Sequence, residues 1–228
     1  MELVDIQDPH DPLVRSVADL LLEVFADPNT VLGADRLREF LASSAAERKF
    51  NILALSDNQR LAGATVFSYV PRSNCGFSEY LVLRGAERAR GLGRMLINAR
   101  RTRLEADARA AGFEACNGLF IEADNPDRTP TPLLQAERET AIDAVERLRM
   151  FGHLGFFRVD FTYVQPPLAA GKTAVDYLDL LFAPFSGSMR EVPANWVIDT
   201  LTPVWRGWAG PMVELPRVTA DRLRLVPL

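Results

Sequence analysis

Apolar and polar positions along this chain follow two different periods. Continuous apolar runs and strict alternation predict strands, whereas apolar side chains that recur every three or four residues predict helices. The first pattern marks strands at 2–6, 51–55, 61–70, 77–83, 118–123, 156–164 and 175–182. The second marks helices at 13–26, from about 34, at 91–111, at 136–153 and at 193–208, the last interrupted at Pro203. The pattern predicts one domain with a C-terminal extension that ends in a tail at 222–226.

A turn rich in arginine and glycine separates the strand at 77–83 from the helix that follows. It reads Arg88-Ala89-Arg90-Gly91-Leu92-Gly93. A helix that begins here points its unpaired backbone N–H groups and the positive end of its dipole at the turn. The two glycines lack a Cβ that would keep a pyrophosphate from the backbone. Arginines at 84, 88, 90 and 94 add charge-assisted donors, so the turn is predicted to bind a phosphorylated cofactor.

Two other phosphate-binding patterns do not fit the sequence. The dinucleotide pattern G-x-G-x-x-G requires a third glycine where Leu96 stands. A P-loop that ended at Gly171-Lys172-Thr173 would need its first glycine at the position of Pro166. The pattern that remains is R-x-x-G-x-G.

A second motif lies later in the chain, where a predicted helix meets a predicted strand. It reads Met150-Phe151-Gly152-His153-Leu154-Gly155-Phe156. With both motifs in this order, residues 50–183 resemble the GNAT superfamily of acyl-CoA-dependent N-acyltransferases. The resemblance implies an α/β (α+β) fold with a central mixed, mostly antiparallel sheet, splayed middle strands and flanking helices. It divides the chain into a GNAT-like domain at 1–183 and an extension at 184–228 that packs on the domain or on a dimer partner.

The resemblance also implies a cofactor site. In that family the Arg/Gly turn binds the pyrophosphate of coenzyme A, and the pantetheine arm lies between the fourth and fifth strands. Acetyl-CoA, or another acyl-CoA, is therefore the expected co-substrate, with no metal. The residues assigned to its binding are Leu81, Leu83, Arg88, Ala89, Arg90, Gly91, Leu92, Gly93, Arg94, Asn125 and Phe151.

Acyl transfer from a thioester to an amine needs a proton acceptor for the amine, a donor for the oxyanion and a stable leaving thiol. Glu79 and Glu122 are the candidate bases, although either is equally well a structural carboxylate, and Asp124 is a weaker third. Strand alternation predicts that Glu79 shares a sheet face with Leu81 and Leu83. An amine of low pKa or a chain of waters would make a base unnecessary.

The proton donor is less clear from the sequence. Phe151 stands where family members commonly have a tyrosine, so the usual acid is missing. Tyr80 is the first candidate to replace it, and Tyr163 and Tyr177 are others, although each is equally a half-buried strand aromatic. A thiolate that leaves readily would need no acid.

Two further sequence features bear on the site. Asn125 and Phe151 are farther apart than in the family pattern, and such insertions tend to line binding sites. The basic stretch from Arg84 to Arg103 is expected to contact phosphate only at its start, with Arg100, Arg101 and Arg103 on the plain surface.

Composition narrows the classes of function. A net charge of −4 argues against general nucleic-acid binding, which depends on phosphate neutralisation. Two cysteines give no disulfide framework, and two histidines give no metal-ligand cluster. The start of the chain lacks a signal-peptide pattern and no apolar run approaches ~20 residues, so a soluble, cytoplasmic protein with no membrane contact is expected.

The sequence therefore predicts an N-acetyltransferase that acts on a primary amine of a small molecule. A protein lysine or N-terminal acetyltransferase is the first alternative. A non-catalytic acyl-CoA sensor is the second, and Phe151 motivates it. The three tryptophans of the extension suggest a homodimer, because exposing them is costly.

Overall fold

The computed structural model describes residues 1–43, 46–57, 60–87, 90–140 and 142–228. Its strands are β1 Glu2–Ile6, β2 Lys49–Asp57, β3 Arg60–Val70, β4 Cys75–Leu83, β5 Gly118–Asp124, β6 Phe157–Val159, β7 Leu178–Pro184, β8 Glu191–Pro193 and β9 Arg222–Pro227. Its α-helices are α1 Pro12–Val24, α2 Ala34–Ala42, α3 Leu92–Ala110, α4 Thr131–Thr140, α5 Ala144–His153 and α6 Ala194–Ala209.

The strands form one sheet in the order β1-β2-β3-β4-β5-β7-β6-β9-β8. Neighbouring strands are antiparallel except β4 and β5, which are parallel. The predicted α/β (α+β) class with a mixed, mostly antiparallel sheet is confirmed.

The two parallel strands separate in the middle of the sheet. β4 and β5 pair from Cys75↔Gly118 to Ser78↔Ile121, and both then continue without pairing to each other. The register between β3 and β4 shifts at the same point, because Tyr80 pairs with Val66 whereas Ser78 pairs with Phe67. Glu79 is the extra residue, and such a bulge bends its strand. The predicted splay is therefore present, and we call this point the split.

Helices cover both faces of the sheet. α1, α2 and α6 contribute to one core, which includes Val14, Leu37 and Val204. α3 and α5 lie on the other face, where Leu104 packs with Phe67. Burying one such aliphatic or aromatic side chain stabilises the fold by about 1.5–3 kcal/mol. The split thus has one layer of helices on each side.

The prediction of a single helix at 136–153 is wrong. The structure forms α4 and α5 instead, and the Asp143 side chain caps α5 by accepting a 3.0 Å hydrogen bond from Val145 N. An aspartate that caps a new helix competes with continuation of the old one.

The later elements also differ from their predictions. The strand predicted at 156–164 keeps only the three residues of β6, and the tail at 222–226 is strand β9. α6 continues through Pro203 without interruption. Pro203 is followed by Val204, Trp205 and Trp208, which are all buried in the core, and their packing offsets the cost of the proline.

Residues 184–228 extend the same sheet, since β9 pairs with β6 from Phe157↔Pro227 to Val159↔Leu225. Trp205 and Trp208 are each 3% exposed within the single chain. Their burial therefore requires no partner subunit. The boundary at residue 183 and the homodimer stay predictions.

Across the described ranges, no helix is long and apolar enough to span a membrane. The same part of the chain contains no group of three or more His, Cys, Asp or Glu side chains placed to hold a metal ion.

Candidate active site

Two cavities meet at the split. The large cavity has a volume of about 350 Å³ and lies between the β4 edge, the start of α3 and α5. The small cavity, of about 60 Å³, is lined by the segment after α1, by α4 and by residues 165–178. Six residues line both: Phe25, Glu79, Tyr80, Glu122, Ala123 and Asp124. Wider and more open grooves lie along α6 and beside β9, away from the split.

The start of α3 forms one end of the large cavity. Gly91 is the N-cap residue with φ +75°, a left-handed conformation that favours glycine, and it makes no side-chain cap. The first helical hydrogen bond runs from Met95 N to Gly91 O at 3.1 Å. The amides of Leu92, Gly93 and Arg94 precede it and have no partner within the helix, so they suit an anion.

The side chains of the Arg/Gly turn are placed differently from one another. Gly93 and Arg94 line the large cavity. Arg90 forms an exposed ion pair with Glu87. The predicted contacts of Arg88 and Ala89 lie outside the described residues.

The β4 edge forms the long wall of the large cavity. Beyond Ser78 this edge has lost its pairing with β5, so its main-chain groups can pair with an extended ligand. Leu81 and Leu83 line the cavity, and their contact with a pantetheine arm stays a prediction. An unpaired strand edge beside an apolar channel suits an amide-containing chain.

Phe151 and Asn125 were both assigned to the cofactor. Phe151 lines the large cavity and packs edge-on against Phe156, with ring centroids 5.5 Å apart. Asn125 lines neither cavity at the split. Its amide nitrogen donates to Asp179 Oδ2 at 3.0 Å and its Oδ1 accepts from Asp127 N at 3.0 Å. Asn125 therefore stabilises the turn after β5, and this geometry does not support its predicted contact with the cofactor.

Glu122 follows Ile121, the last residue of β5 that pairs with β4, and it lines both cavities. Tyr163 donates a short hydrogen bond to its Oε1. Burial raises the pKa of Glu122 to about 8, and the hydrogen bond from Tyr163 limits the rise. A carboxyl group with a pKa near the working pH can exchange a proton with a bound ligand.

Glu79 is held in a different network. Its Oε1 accepts from Ser68 Oγ at 2.7 Å and lies 3.7 Å from Arg48 Nη1. Burial raises the pKa of Glu79, and the charge of Arg48 opposes the shift. Its Oε2 is buried and has no hydrogen-bond partner among the described residues.

The predicted orientation of Glu79 is wrong. Leu81 and Leu83 pack with Leu96 of α3, whereas the Arg48 that faces Glu79 lies over Phe40 on the other side of the sheet. The bulge is the reason, because one extra residue reverses the alternation of side chains.

Tyr80 does not have the geometry of a proton donor. Its hydroxyl donates to Thr30 O at 2.9 Å and accepts from Leu32 N at 2.8 Å. Burial raises its pKa well above the ordinary value. Tyr80 therefore anchors the segment that follows α1, and the catalytic assignment made from the sequence is corrected to a positioning one.

Arg100 was expected on the surface, and this prediction is wrong. Its side chain is buried, and Nη1 donates to Ser78 Oγ at 2.6 Å directly beside the split. The helical period could have revealed this, because Leu96, Arg100 and Leu104 share one buried stripe of α3. Burial lowers the pKa of Arg100 to about 10, so it remains a cation at neutral pH.

A second arginine that the sequence did not single out joins α4 and α5 to the site. Arg147 Nη2 lies 2.7 Å from Asp124 Oδ2 and 2.7 Å from Glu137 Oε2. Glu137 lines the small cavity, and Arg147 lines the large one. The inserted segment between the two motifs therefore contributes to both cavities.

No protein-family model matches the sequence, and the search of curated proteins found no match. The fold is nevertheless similar to solved structures. One, described as a GNAT-family acetyltransferase from Bacteroides thetaiotaomicron, gives a TM-score of 0.56 at 16% identity, covering 83% of this chain and 88% of that one. The ribosomal-protein-S18-alanine N-acetyltransferase from Escherichia coli gives 0.52 at 12% identity, covering 82% and 96%.

An aminoglycoside 6'-N-acetyltransferase complexed with coenzyme A gives a TM-score of 0.52 at 16% identity, covering 83% of this chain and 99% of that one. At these identities the likeness concerns the arrangement of the backbone. With its split between β4 and β5, the chain has the fold of the GNAT acyl-CoA-dependent N-acetyltransferases.

Proposed function

We propose that the protein transfers an acyl group, acetyl in the first instance, from acyl-CoA to a primary amine of a small molecule. The observation that carries the proposal is the position of Glu122. It is a buried carboxyl group with a pKa of about 8, and it lines both cavities. A base that is shared by a cofactor cavity and an acceptor cavity suits direct transfer between two bound substrates.

The residues of the large cavity fit acyl-CoA. The first-turn amides of α3 and the side chain of Arg94 would bind its phosphates. The unpaired β4 edge at Leu81 and Leu83 would bind the pantetheine arm, with Phe151 on the apolar wall. The co-substrate supplies the thioester, whose carbonyl carbon is the electrophile.

The remaining chemistry belongs to the acceptor and to this chain. The amine lone pair forms the new C–N bond, and the C–S bond breaks. The proton that the amine loses passes to the carboxylate of Glu122. The sulfur leaves as a thiolate and takes a proton in turn. Because a free thiol has a pKa of about 8.5, the phenylalanine at position 151 does not prevent this step.

The volume of the small cavity, about 60 Å³, favours a small acceptor over a protein. Lys172 donates to Pro28 O at 2.7 Å, and Thr173 N donates to Asn29 Oδ1 at 3.1 Å. The loop at 166–174 is thus attached to the segment after α1. Transfer to a protein lysine or N-terminus requires this attachment to open. The cytoplasmic location remains a prediction.

Calorimetry with acetyl-CoA and thiol release with a panel of amines test the proposal together. Binding with amine-dependent thiol release is the expected result. Binding without release for any small amine or peptide would instead support the acyl-CoA sensor that Phe151 motivates. Absence of binding would contradict both.

Gly93→Ala separates cofactor binding from folding. A Cβ at Gly93 would lie 3.4 Å from Leu83 Cδ1, an ordinary contact, and alanine is favoured over glycine in a helix by about 0.5–1 kcal/mol. We therefore expect an unchanged or higher melting temperature but at least about tenfold weaker coenzyme A binding by calorimetry, because the methyl group occupies the phosphate cradle. Gly152→Ala in α5 is the control and should bind normally. Equal affinity for both variants would refute the cradle.

Tyr163→Phe should move the pH dependence of kcat/KM to higher pH. The Tyr163 hydroxyl stabilises the ionised form of Glu122, so its loss raises the pKa of that carboxyl. Tyr177→Phe removes a hydroxyl that donates to Asp27 Oδ2 at 2.6 Å, and it should leave the midpoint in place. All pH profiles are measured with the same amine, so the titration of that amine affects every protein equally. A shift to lower pH in Tyr163→Phe would contradict the assignment of Glu122.

A further inference from the structure

The small cavity is lined by groups that accept hydrogen bonds. Its carboxylates are Asp27, Glu79, Glu122, Asp124 and Glu137. The described residues that line it include no lysine and no arginine. Arg48 pairs with Glu79, and Arg147 pairs with Asp124 and Glu137, but neither arginine lines the small cavity. A cationic group is therefore stabilised inside the cavity, whereas a second carboxylate would meet like charges where water screens poorly.

Two buried polar atoms in this lining also indicate a ligand. Glu79 Oε2 and Gln165 Nε2 have no hydrogen-bond partner in the part of the chain that the structure describes. The Glu79 side chain and Gln165 are each 1% exposed. Because buried polar atoms are nearly always paired, the ligand should bring a hydrogen-bond donor to Glu79 Oε2. An uncharged oxygen of the ligand could accept a hydrogen bond from Gln165 Nε2.

The volume of the cavity limits the shape of the ligand. At about 10–15 Å³ for each water-sized group, about 60 Å³ holds a chain of roughly four to six non-hydrogen atoms. Phe25, Leu133 and Leu178 supply apolar surface for methylene groups. A branch on the carbon next to the reacting nitrogen would have to displace one of these packed side chains.

We propose that the acceptor is a small, unbranched primary amine with no carboxylate near its reacting nitrogen, such as an alkylamine or an amino alcohol. The proposal rests on the proposed function and adds the chemical class of the acceptor. It excludes free α-amino acids, which carry both a branch and a carboxylate beside the nitrogen. It also disfavours peptide N-termini, which carry the branch.

Two matched pairs of acceptors test the charge and the shape separately. 4-Aminobutan-1-ol and 4-aminobutanoate have the same length and differ in the negative charge. We expect kcat/KM for thiol release from acetyl-CoA to be at least about 100-fold higher for the alcohol. 1-Aminobutane and 2-aminobutane differ in the branch, and the unbranched amine should be at least about tenfold better.

Two variants connect these preferences to the cavity. Glu137→Gln replaces one of the five carboxyl groups with a neutral amide, and the preference for 4-aminobutan-1-ol over 4-aminobutanoate should fall about tenfold. Glu139→Gln alters an exposed residue of the same helix and should leave that preference unchanged. Leu133→Ala widens the cavity and should reduce the preference for 1-aminobutane over 2-aminobutane.

The outcomes distinguish this proposal from the proposed function. Equal turnover of 4-aminobutan-1-ol and 4-aminobutanoate, or of the branched and unbranched amines, would overturn the acceptor class while acyl transfer stands. Thiol release with none of these four amines but with another amine of the panel would overturn the acceptor class alone, whereas release with no amine at all, in a protein that binds coenzyme A, would overturn both proposals.

Discussion

Glu122→Gln should lower kcat/KM by about 10²–10⁴, the range that a positioned general base contributes. Glutamine has nearly the same shape and can still accept the hydrogen bond from Tyr163, but it cannot take a proton from the amine. Coenzyme A binding, measured by calorimetry, should change little, because the proposed phosphate cradle is formed by the first turn of α3 and not by Glu122. Glu114→Gln, at an exposed position before β5, is the control. Activity within threefold of the unchanged protein would show that Glu122 is not the base.

The same substitution should stabilise the fold at high pH. The pKa of Glu122 is about 8 in the folded chain and 4.5 ordinarily, so between these values the folded state holds a proton that the unfolded state releases. The stability that the neutral carboxyl group contributes to the fold is fully present below pH 4.5 and is lost as pH rises through about 8. Glutamine stays neutral throughout. At pH 9 we expect Glu122→Gln to gain on the order of 3–5 kcal/mol, or about 10 °C in melting temperature.

Thermal unfolding at two pH values checks this expectation. Near pH 5 the variant and the unchanged protein should melt within a few degrees of each other. The difference should open as pH rises from about 5 to about 8 and stay constant above that. A variant that is less stable at pH 9 would contradict the neutral state assigned to Glu122.

Arg48→Met should destabilise the fold by about 3–5 kcal/mol, because it leaves the carboxylate of Glu79 buried without its countercharge. The Arg48 side chain is 7% exposed and its guanidinium lies over the Phe40 ring, 4.3 Å from the centroid. Methionine fills much of the same space and isolates the loss of charge. The free energy of unfolding in urea measures the effect.

A double-variant cycle separates the charge from the packing. Glu79→Gln alone leaves Arg48 buried without a partner and should also destabilise the fold. Glu79→Gln combined with Arg48→Met removes both charges and should recover a large part of the loss. Additive losses would show that the two side chains act independently, and a cost below about 1 kcal/mol for Arg48→Met would contradict the buried ion pair.

The outline of the sheet could be predicted from the sequence because most of its strands are continuous apolar runs. The first strand, the hairpin strands and the strand that ends at Leu83 all form near their predicted positions. The pattern around Gly91 also located the start of α3 correctly, since a glycine there is required by a positive φ. These features depend on local sequence alone.

The errors arise where distant residues decide the outcome. The bulge at Glu79 depends on the register with β3, which alternation along one strand does not contain. The role of Tyr80 depends on main-chain groups of Thr30 and Leu32, about 50 positions earlier. The helical stripe of α3 indicates that Arg100 is buried, but the serine to which it donates lies on another element. Each of these facts belongs to tertiary packing, and the candidate bases could therefore be listed from the sequence but not ranked.

The small cavity combines residues of the central strands β4 and β5 with residues from segments outside those strands. Asp27 comes from the segment after α1, Glu137 from α4 and Gln165 from the stretch before β7. The base and the phosphate cradle, by contrast, sit on β5 and α3. The outer segments can therefore change the selectivity for the amine while β5 and α3 keep the groups that carry out the transfer. Grafting different peripheral segments onto this framework offers a route to new acceptors that leaves the reaction itself untouched.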